Sequence, residues 1–241
     1  LTEGAELGDG ELEISIVPDA EGKTLTIADN GIGMTREELV ENLGTIAHSG
    51  SKKFLAQATG DKQADLSLIG QFGVGFYSSF MLADKVEVLS RSFKEDSGWR
   101  WESDGTGEFT IESQDDLSRG TQIRLHLKSD LVEEFTRKER LQHILKTYST
   151  FVSHPIKLDG EHLNTQQPIW VEPKSQLTEE QYHEFYRYIS HGMEGKPSWY
   201  LHLASETPFE FKAILFCPET NIEKMGFGRL DDGIHLCAKR I

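Results

Sequence analysis

Three stretches of this sequence carry residue types that could hold a nucleotide. The first is Asp29-Asn30-Gly31-Ile32-Gly33-Met34, where a carboxylate ends an alternating apolar run and is followed by two glycines. The second is Asn42, 13 residues after Asp29. The third is Gly70-Gln71-Phe72-Gly73-Val74-Gly75-Phe76, a G-x-x-G-x-G loop that opens an apolar segment. An ionised carboxylate only accepts hydrogen bonds, so at a strand end it suits an adenine amino group, and glycines allow close approach. A glycine-rich loop at a helix N-terminus offers free N–H donors to phosphates. Neither cluster is a Walker A loop, because no Gly-Lys-Ser/Thr follows at the required spacing and Gly50-Ser51-Lys52 has the letters in another order. No G-x-G-x-x-G joins a strand to a helix, which excludes the Rossmann fingerprint. Taken singly, either glycine cluster reads more readily as a turn or a close-packed helix entry.

The elements that must position these residues can be read from periodicity. Glu11 to Val17 alternates Leu12, Ile14 and Ile16 with polar residues, predicting a strand with one wet face. Pro18 to Gly22 is turn chemistry, and Lys23 to Ala28 returns as a second strand with Leu25 and Ile27 inward. Thr35 and Glu38 have capping-box spacing, with Leu39 and Leu43 on one face of the helix that follows. Residues 44–72 are weakly periodic and rich in Gly, Ser, Lys and Gln, with one short helix predicted near Lys52 to Ala58; such a segment reads as a functional lid. An apolar helix is predicted from the glycine loop through Ala83. Strands then follow at Val86/Val88, Trp99/Trp101, Phe109/Ile111 and Gln122–Lys128, and a helix at Arg140–Phe151 closes the domain. His154 to Pro168 reads as an exit strand and linker. Thr178 and Gln181 form a second capping box, before a helix with Tyr182, Phe185, Tyr186 and Ile189 on one apolar face. Mixed strands are expected from there to Ile241.

The chain has 241 residues, 13 of them Phe, and a net charge of −15. That aromatic content supplies a core, and no run of about 18 apolar residues spans a bilayer. Residues 1–130 carry 12 basic and 24 acidic groups, which opposes nucleic-acid binding, since phosphate backbones demand Lys/Arg stripes. Cys217 and Cys237 form neither a CxxC pair nor a disulfide framework and read as buried thiols in a reducing compartment. The nine histidines include no HExxH pair, so no metal site of protein ligands is expected. Ser78 lacks a Gly-x-Ser-x-Gly elbow and reads as a helix residue. Leu1-Thr2-Glu3-Gly4 resembles neither a signal nor a transit peptide, and without an initiator Met the sequence reads as a piece of a longer chain.

In combination the motifs are more specific. Asp29 to Thr35, Asn42 to Ala47, Ser49-Gly50-Ser51-Lys52, Gly70 to Ser78 and Arg119-Gly120-Thr121 resemble the heat shock protein 90 chaperone family in order and spacing. Leu163 to Trp170, Glu184 to Tyr188 and the lack of a long acidic linker look like its mitochondrial, tumour-necrosis-factor-receptor-associated branch. The resemblance implies an α+β, Bergerat-type (GHKL) two-layer α/β sandwich with a mostly antiparallel sheet over residues 1–165, and the start of an α/β middle domain over 166–241. It implies that Asp29 accepts the adenine amino group, with Gly33 and Thr121 joining through ordered water. Met34 and Phe76 would line the adenine and ribose pocket, and Asn42 would reach the ribose–phosphate region beside Leu43. Ser49, Gly50, Gly70, Gln71, Phe72, Gly73, Val74, Gly75 and Phe76 would frame the phosphates under the 44–72 lid. Two positions depart from the family pattern: His48, where Lys or Arg is usual, and Lys53, where a small residue is common.

The implied cofactors are ATP or ADP and Mg2+ held through the nucleotide. The implied function is an ATP-dependent chaperone, homodimeric in full length, acting on client proteins, with no nucleic-acid partner and no membrane insertion. The mitochondrial matrix is the implied compartment, with the cytoplasm as the alternative. A type II topoisomerase or mismatch-repair ATPase, or a nucleotide-binding module without hydrolysis, are the competing readings. The family's general-base Glu, magnesium-binding Asn and γ-phosphate Arg find no match in this sequence. No catalytic residue is therefore assigned, and the chain alone is expected to bind nucleotide without turning it over.

Overall fold

The computed structural model describes residues 10–44, 74–164, 168–190, 195–205, 207 and 211–219. His48, Ser49, Gly50, Lys53, Gly70, Gln71, Phe72, Gly73, Cys237 and the short helix expected at 52–58 lie outside the described residues. Two compact units divide the chain, Leu1–Thr165 and Gln166–Arg240.

In the first unit, β1 (Ile14–Asp19) and β2 (Thr24–Asp29) form the expected hairpin. The Asp19 side chain accepts the Gly22 N–H at 2.8 Å and closes the turn. The other strands are β3 (Ala83–Arg91), β4 (Gly98–Ser103), β5 (Thr110–Gln114), β6 (Gly120–Leu127), β7 (Ile156–Leu158) and β8 (Glu161–His162). They build one eight-stranded sheet in the order β5-β4-β3-β6-β2-β1-β7-β8. Every pairing is antiparallel except β1 with β7. This is the α+β, mostly antiparallel architecture expected of the sequence.

Helices cover one face: α1 (Arg36–Leu43), α2 (Ser79–Leu82), α3 (Val132–Phe135) and α4 (Lys138–Tyr148). Thr35 caps α1, accepting the Glu38 N–H while the Glu38 carboxylate accepts the Thr35 N–H. The core lies between sheet and helices, where Leu25, Val86, Val88, Trp101 and Leu125 meet Leu39, Leu43 and Leu141. Leu39 is fully buried and on transfer energetics contributes about 1.5–3 kcal/mol.

Several boundaries differ from the sequence reading. β1 starts at Ile14, because Asn30 holds the segment just before it: its side chain donates to Glu11 O and accepts from Glu13 N, both at 2.8 Å. The helix expected to reach Ala83 is a 3-10 turn, Gly75–Ser78, followed by the single turn α2, and Ala83 already belongs to β3. The helix expected at Arg140–Phe151 starts two residues earlier and ends at Tyr148. The expected exit strand folds back as the β7–β8 hairpin.

In the second unit, the Thr178 capping box starts α5 (Glu179–Ile189). Tyr182, Phe185 and Tyr186 are buried, as the apolar stripe requires. They face the hairpin of β9 (Pro197–Ser205) and β10 (Phe211–Pro218). Tyr182 stacks on Tyr200 at 4.2 Å and its hydroxyl meets His202 Nδ1 at 2.7 Å. Cys217, expected to be buried, is half-buried, because it lies on the strand face that carries exposed Trp199 and Leu215.

The sheet face away from the helices is held by charge. Glu87 on β3 is 6% exposed and meets Lys85 Nζ at 2.8 Å, His126 Nε2 at 2.9 Å, Arg100 Nη2 at 3.3 Å and Arg124 Nη1 at 3.6 Å. Burial by itself would raise its pKa, but hydrogen bonds from Lys85, His126 and Arg100 and the Lys85 charge hold it down to about 2. A depressed carboxylate stabilises the fold fully above its unfolded pKa and loses that contribution as pH falls through the folded value. Its partners Lys85, Arg100 and Arg124 are about a third exposed or more, so solvent screens part of the gain. Glu87→Gln should cost about 1–3 kcal/mol at pH 7. Melting curves between pH 7 and pH 2 should show the gap to the parent closing on acidification.

Beyond β2 the chain turns under the end of β3. Gly33 has φ +64, and a Cβ there would overlap the Arg91 carbonyl oxygen. Phe93 N donates to Ile32 O at 2.9 Å, which fastens the crossing. Gly33→Ala meets both a left-handed backbone and a backbone clash, so it should destabilise the fold by more than about 1–2 kcal/mol. A melting temperature equal to the parent's would contradict this account of the turn.

Candidate functional site

Strand register brings the sequence-predicted residues together. Ser90 on β3 pairs with Thr121 on β6, which pairs with Asp29 on β2. All three follow the inward parity of their strands, set by Val86 and Val88, Ile123 and Leu125, and Leu25 and Ile27. They therefore form one polar row on the helix side of the sheet, at the ends of three neighbouring strands. Trp99 on β4 continues the row beyond Ser90, with the Arg36 guanidinium 5.8 Å from its ring centroid.

Asp29 is exposed at the strand end. The protein mass around its carboxylate raises its pKa above the ordinary value, against the N–H groups of Gly31 and Thr121, which lower it. The Gly31 N–H donates to Asp29 Oδ1 at 2.8 Å, and a Cβ on Gly31 would press on that same oxygen. Arg119 ties the loop from the other side, donating to Asn30 O at 2.9 Å and Gly31 O at 3.0 Å. Gly120 adopts φ +122, and a Cβ there would strike the Asp29 carbonyl. Carboxylate, turn and the Arg119-Gly120-Thr121 segment are thus one backbone assembly.

Ser90 joins this assembly to the helical layer. Its Oγ accepts the Met34 N–H at 2.9 Å, donates to Gly120 O at 3.0 Å and lies 2.9 Å from Thr121 Oγ1. Met34, half-buried, receives the Asn42 amide at Sδ, 4.0 Å away. Leu43 is buried in the core, and its carbonyl accepts from Tyr77 Oη at 3.1 Å. That bond fastens the 3-10 turn Gly75–Ser78 to α1. Phe76, in the same turn, packs edge-on against Tyr77, Phe80 and Trp101. Val74 and Gly75 are exposed, and among the described residues none stands within 4 Å of where a Gly75 Cβ would be. Asp29, Gly33, Met34, Asn42, Leu43, Phe76 and Thr121 are therefore linked by register, hydrogen bonds or core packing. Ser78 uses its hydroxyl on Gly75 O at 2.6 Å, in keeping with a structural role.

Ser90, Arg119 and Gly120 were not among the expected site residues. Ser90 had a readable signal, since it is the polar third member of the inward series Val86, Val88, Ser90. A cleft of about 280 Å³ also touches Asp29 and Thr121, but Ser15, Ala28, Leu89 and Gln122 in its lining have the outward parity. It lies behind the polar row, on the other face of the sheet. A cleft of about 350 Å³ among Asp130, Glu133, Glu134, Arg137 and Arg140 is lined by charges, with Arg137–Glu133 and Arg140–Glu134 ion pairs each at 2.8 Å. It offers no apolar wall to a ligand.

Comparison with known proteins agrees with this geometry. Residues 9–136 match the family described as histidine kinase-, DNA gyrase B- and HSP90-like ATPase, and residues 157–241 match the Hsp90 protein family. Chaperone protein HtpG of Desulfitobacterium hafniense is 51% identical over 234 residues, covering 95% of this chain and 38% of the relative. Its counterpart from Rhodospirillum rubrum is 49% identical over 227 residues, covering 90% and 36%. The mitochondrial TNF receptor-associated protein 1 homolog of Dictyostelium discoideum is 39% identical over 244 residues, covering 100% and 34%. The chain thus spans less than two-fifths of the length of these curated relatives. With the polar row at the end of a mostly antiparallel sheet, these matches lead to one conclusion: the chain belongs to the Hsp90 family and carries its HSP90-like ATPase fold.

Proposed function

We propose that this chain binds ATP or ADP at the polar row and serves as the nucleotide-binding part of an ATP-dependent chaperone. The observation that carries the reading is the register row Ser90–Thr121–Asp29, with the Gly31–Met34 turn folded against it. Asp29 is the acceptor for the adenine amino group, with Gly33 and Thr121 beside it to hold ordered water. Met34 and Phe76 supply the apolar walls, and Asn42 and Leu43 border the ribose side. The backbone N–H groups of Val74 and Gly75 serve as phosphate donors, and the glycine at 75 adds no side chain there. Ser49, Gly50 and Gly70 to Gly73 complete the phosphate cradle in the same reading. The triphosphate brings a hard oxygen-ligated Mg2+, which neutralises charge on the phosphates. Segment 44–72 is the lid over the nucleotide, residues 1–165 are the ATP-binding domain, and 166–241 begin a middle domain.

The relatives' names support client proteins as partners, and homodimerisation belongs to the same reading. The bacterial relatives at 49–51% identity, set against 39% for the mitochondrial homologue, favour the cytoplasmic alternative over the matrix. A DNA-handling ATPase of the same superfamily is disfavoured by the Hsp90 match over residues 157–241 and by the acidic first half.

Calorimetry with ADP tests the assignment. Asp29→Asn exchanges a charged acceptor for an amide, and losing about 1.5–3 kcal/mol should weaken binding about 10- to 150-fold. The same variant should be at least as stable as the parent at pH 7. A carboxylate whose pKa is raised by folding favours the native state below its unfolded pKa and loses that advantage as pH rises through the folded value. Removing the charge removes that loss, and the difference should shrink on acidification. Unchanged ADP affinity in folded Asp29→Asn would overturn the reading.

A further inference from the structure

We infer that Ser90 is a positioning residue that turns Thr121 into a hydrogen-bond acceptor toward the bound base, and so sets a preference for an amino group over a carbonyl at that edge of the ring. The inference rests on the nucleotide reading above and deepens it. Ser90 is 1% exposed, and among the described residues its hydroxyl has three hydrogen-bond partners. A hydroxyl owns one proton and two lone pairs. The Gly120 carbonyl cannot donate, so the Ser90 proton goes to it across 3.0 Å. The Met34 N–H occupies one Ser90 lone pair at 2.9 Å. The remaining contact, 2.9 Å to Thr121 Oγ1, is satisfied only if Thr121 donates and Ser90 accepts.

The Thr121 proton is thereby committed inward, and only lone pairs are left for a bound base. Next to it in register stands Asp29, whose carboxylate already accepts the Gly31 N–H. Two acceptors side by side match an exocyclic amino group, which has two protons to give. A ring carbonyl at the same position would bring lone pairs against lone pairs and leave both sides unsatisfied. A water between Thr121 and the base would itself donate to Thr121, turning a lone pair toward the base. Without the Ser90 hydroxyl, Thr121 can rotate its proton outward and tolerate the carbonyl.

The test is calorimetry on the 241-residue chain with ADP and with inosine diphosphate, which carries a carbonyl in place of the amino group and a proton on the adjacent N1. The parent should prefer ADP. Ser90→Ala should narrow the ADP-to-IDP affinity ratio by about 3- to 10-fold, the loss of one hydrogen bond. Ser90→Thr, which keeps the hydroxyl, should retain the parent ratio. Should Ser90→Ala not fold, Ser90→Cys carries the same test, since a thiol is a poor donor and acceptor. If Ser90→Ala or Ser90→Cys lowers both affinities equally, Ser90 merely supports the turn and the inference is wrong. If Asp29→Asn weakens ADP while the Ser90 variants leave the ratio unchanged, the nucleotide reading stands and this inference alone falls. Failure of the parent to bind ADP would overturn both.

Discussion

The backbone of Gly33 lies so close to the Arg91 carbonyl that no side chain fits between them, and the site is built outward from that contact. Because the chain passes there, Ile32 O reaches Phe93 N and Met34 N reaches Ser90. Thr35 then stands where it caps α1, and α1 delivers Asn42 to Met34 and Leu43 to the core. A bulkier residue at position 33 would disturb more than a turn. It would shift the helix whose far end meets Tyr77 and, through it, the 3-10 turn at Gly75.

Strand β3 carries a buried polar group on each face, and the two faces handle it differently. Glu87 looks away from the helices and is satisfied mainly by charge, with Lys85, Arg100 and Arg124 from β3, β4 and β6 around it. Ser90 looks toward the helices and is satisfied by neutral hydrogen bonds whose direction is fixed. Charge pairing tolerates variable geometry and holds neighbouring strands together. A neutral hydroxyl with every valence in use instead fixes where protons lie, which is what a recognition surface needs.

Much of this was legible in the sequence. The alternation in residues 14–28, both capping boxes and the aromatic stripe of α5 appear where the periodicity put them, since each depends on residues close together in the chain. The glycines at 31 and 33 announced a close approach, and the structure shows against what. Relations between distant strands could not be read that way. The parallel pairing of β1 with β7 joins segments about 140 residues apart, and nothing local in either encodes it. The Glu87 cluster is equally nonlocal, because Lys85, Arg100, Arg124 and His126 converge only once β4 and β6 flank β3. The helix expected after the glycine loop proved to be little more than two turns, because Ala83 is already buried in the sheet. Ser90 stood at an inward position, yet only its neighbours reveal that its hydroxyl is fully occupied.

The parallel seam has a mechanical meaning. Ile14 stands opposite Asp29 on one side and Ile156 on the other, and its N–H also bonds Pro155 O at 2.8 Å. Residues 159–165 lead from β7 to the second unit through β8, which pairs antiparallel with β7, so tension along the chain enters the sheet at β8 and reaches β7 next. Parallel strands pulled along their length are loaded in shear, with their hydrogen bonds sharing the force together instead of peeling one by one. The strand that takes this load is the immediate neighbour of the one ending in Asp29. Traction that passes β8 therefore meets the β7–β1 seam, whose inner strand is the neighbour of the one ending in Asp29.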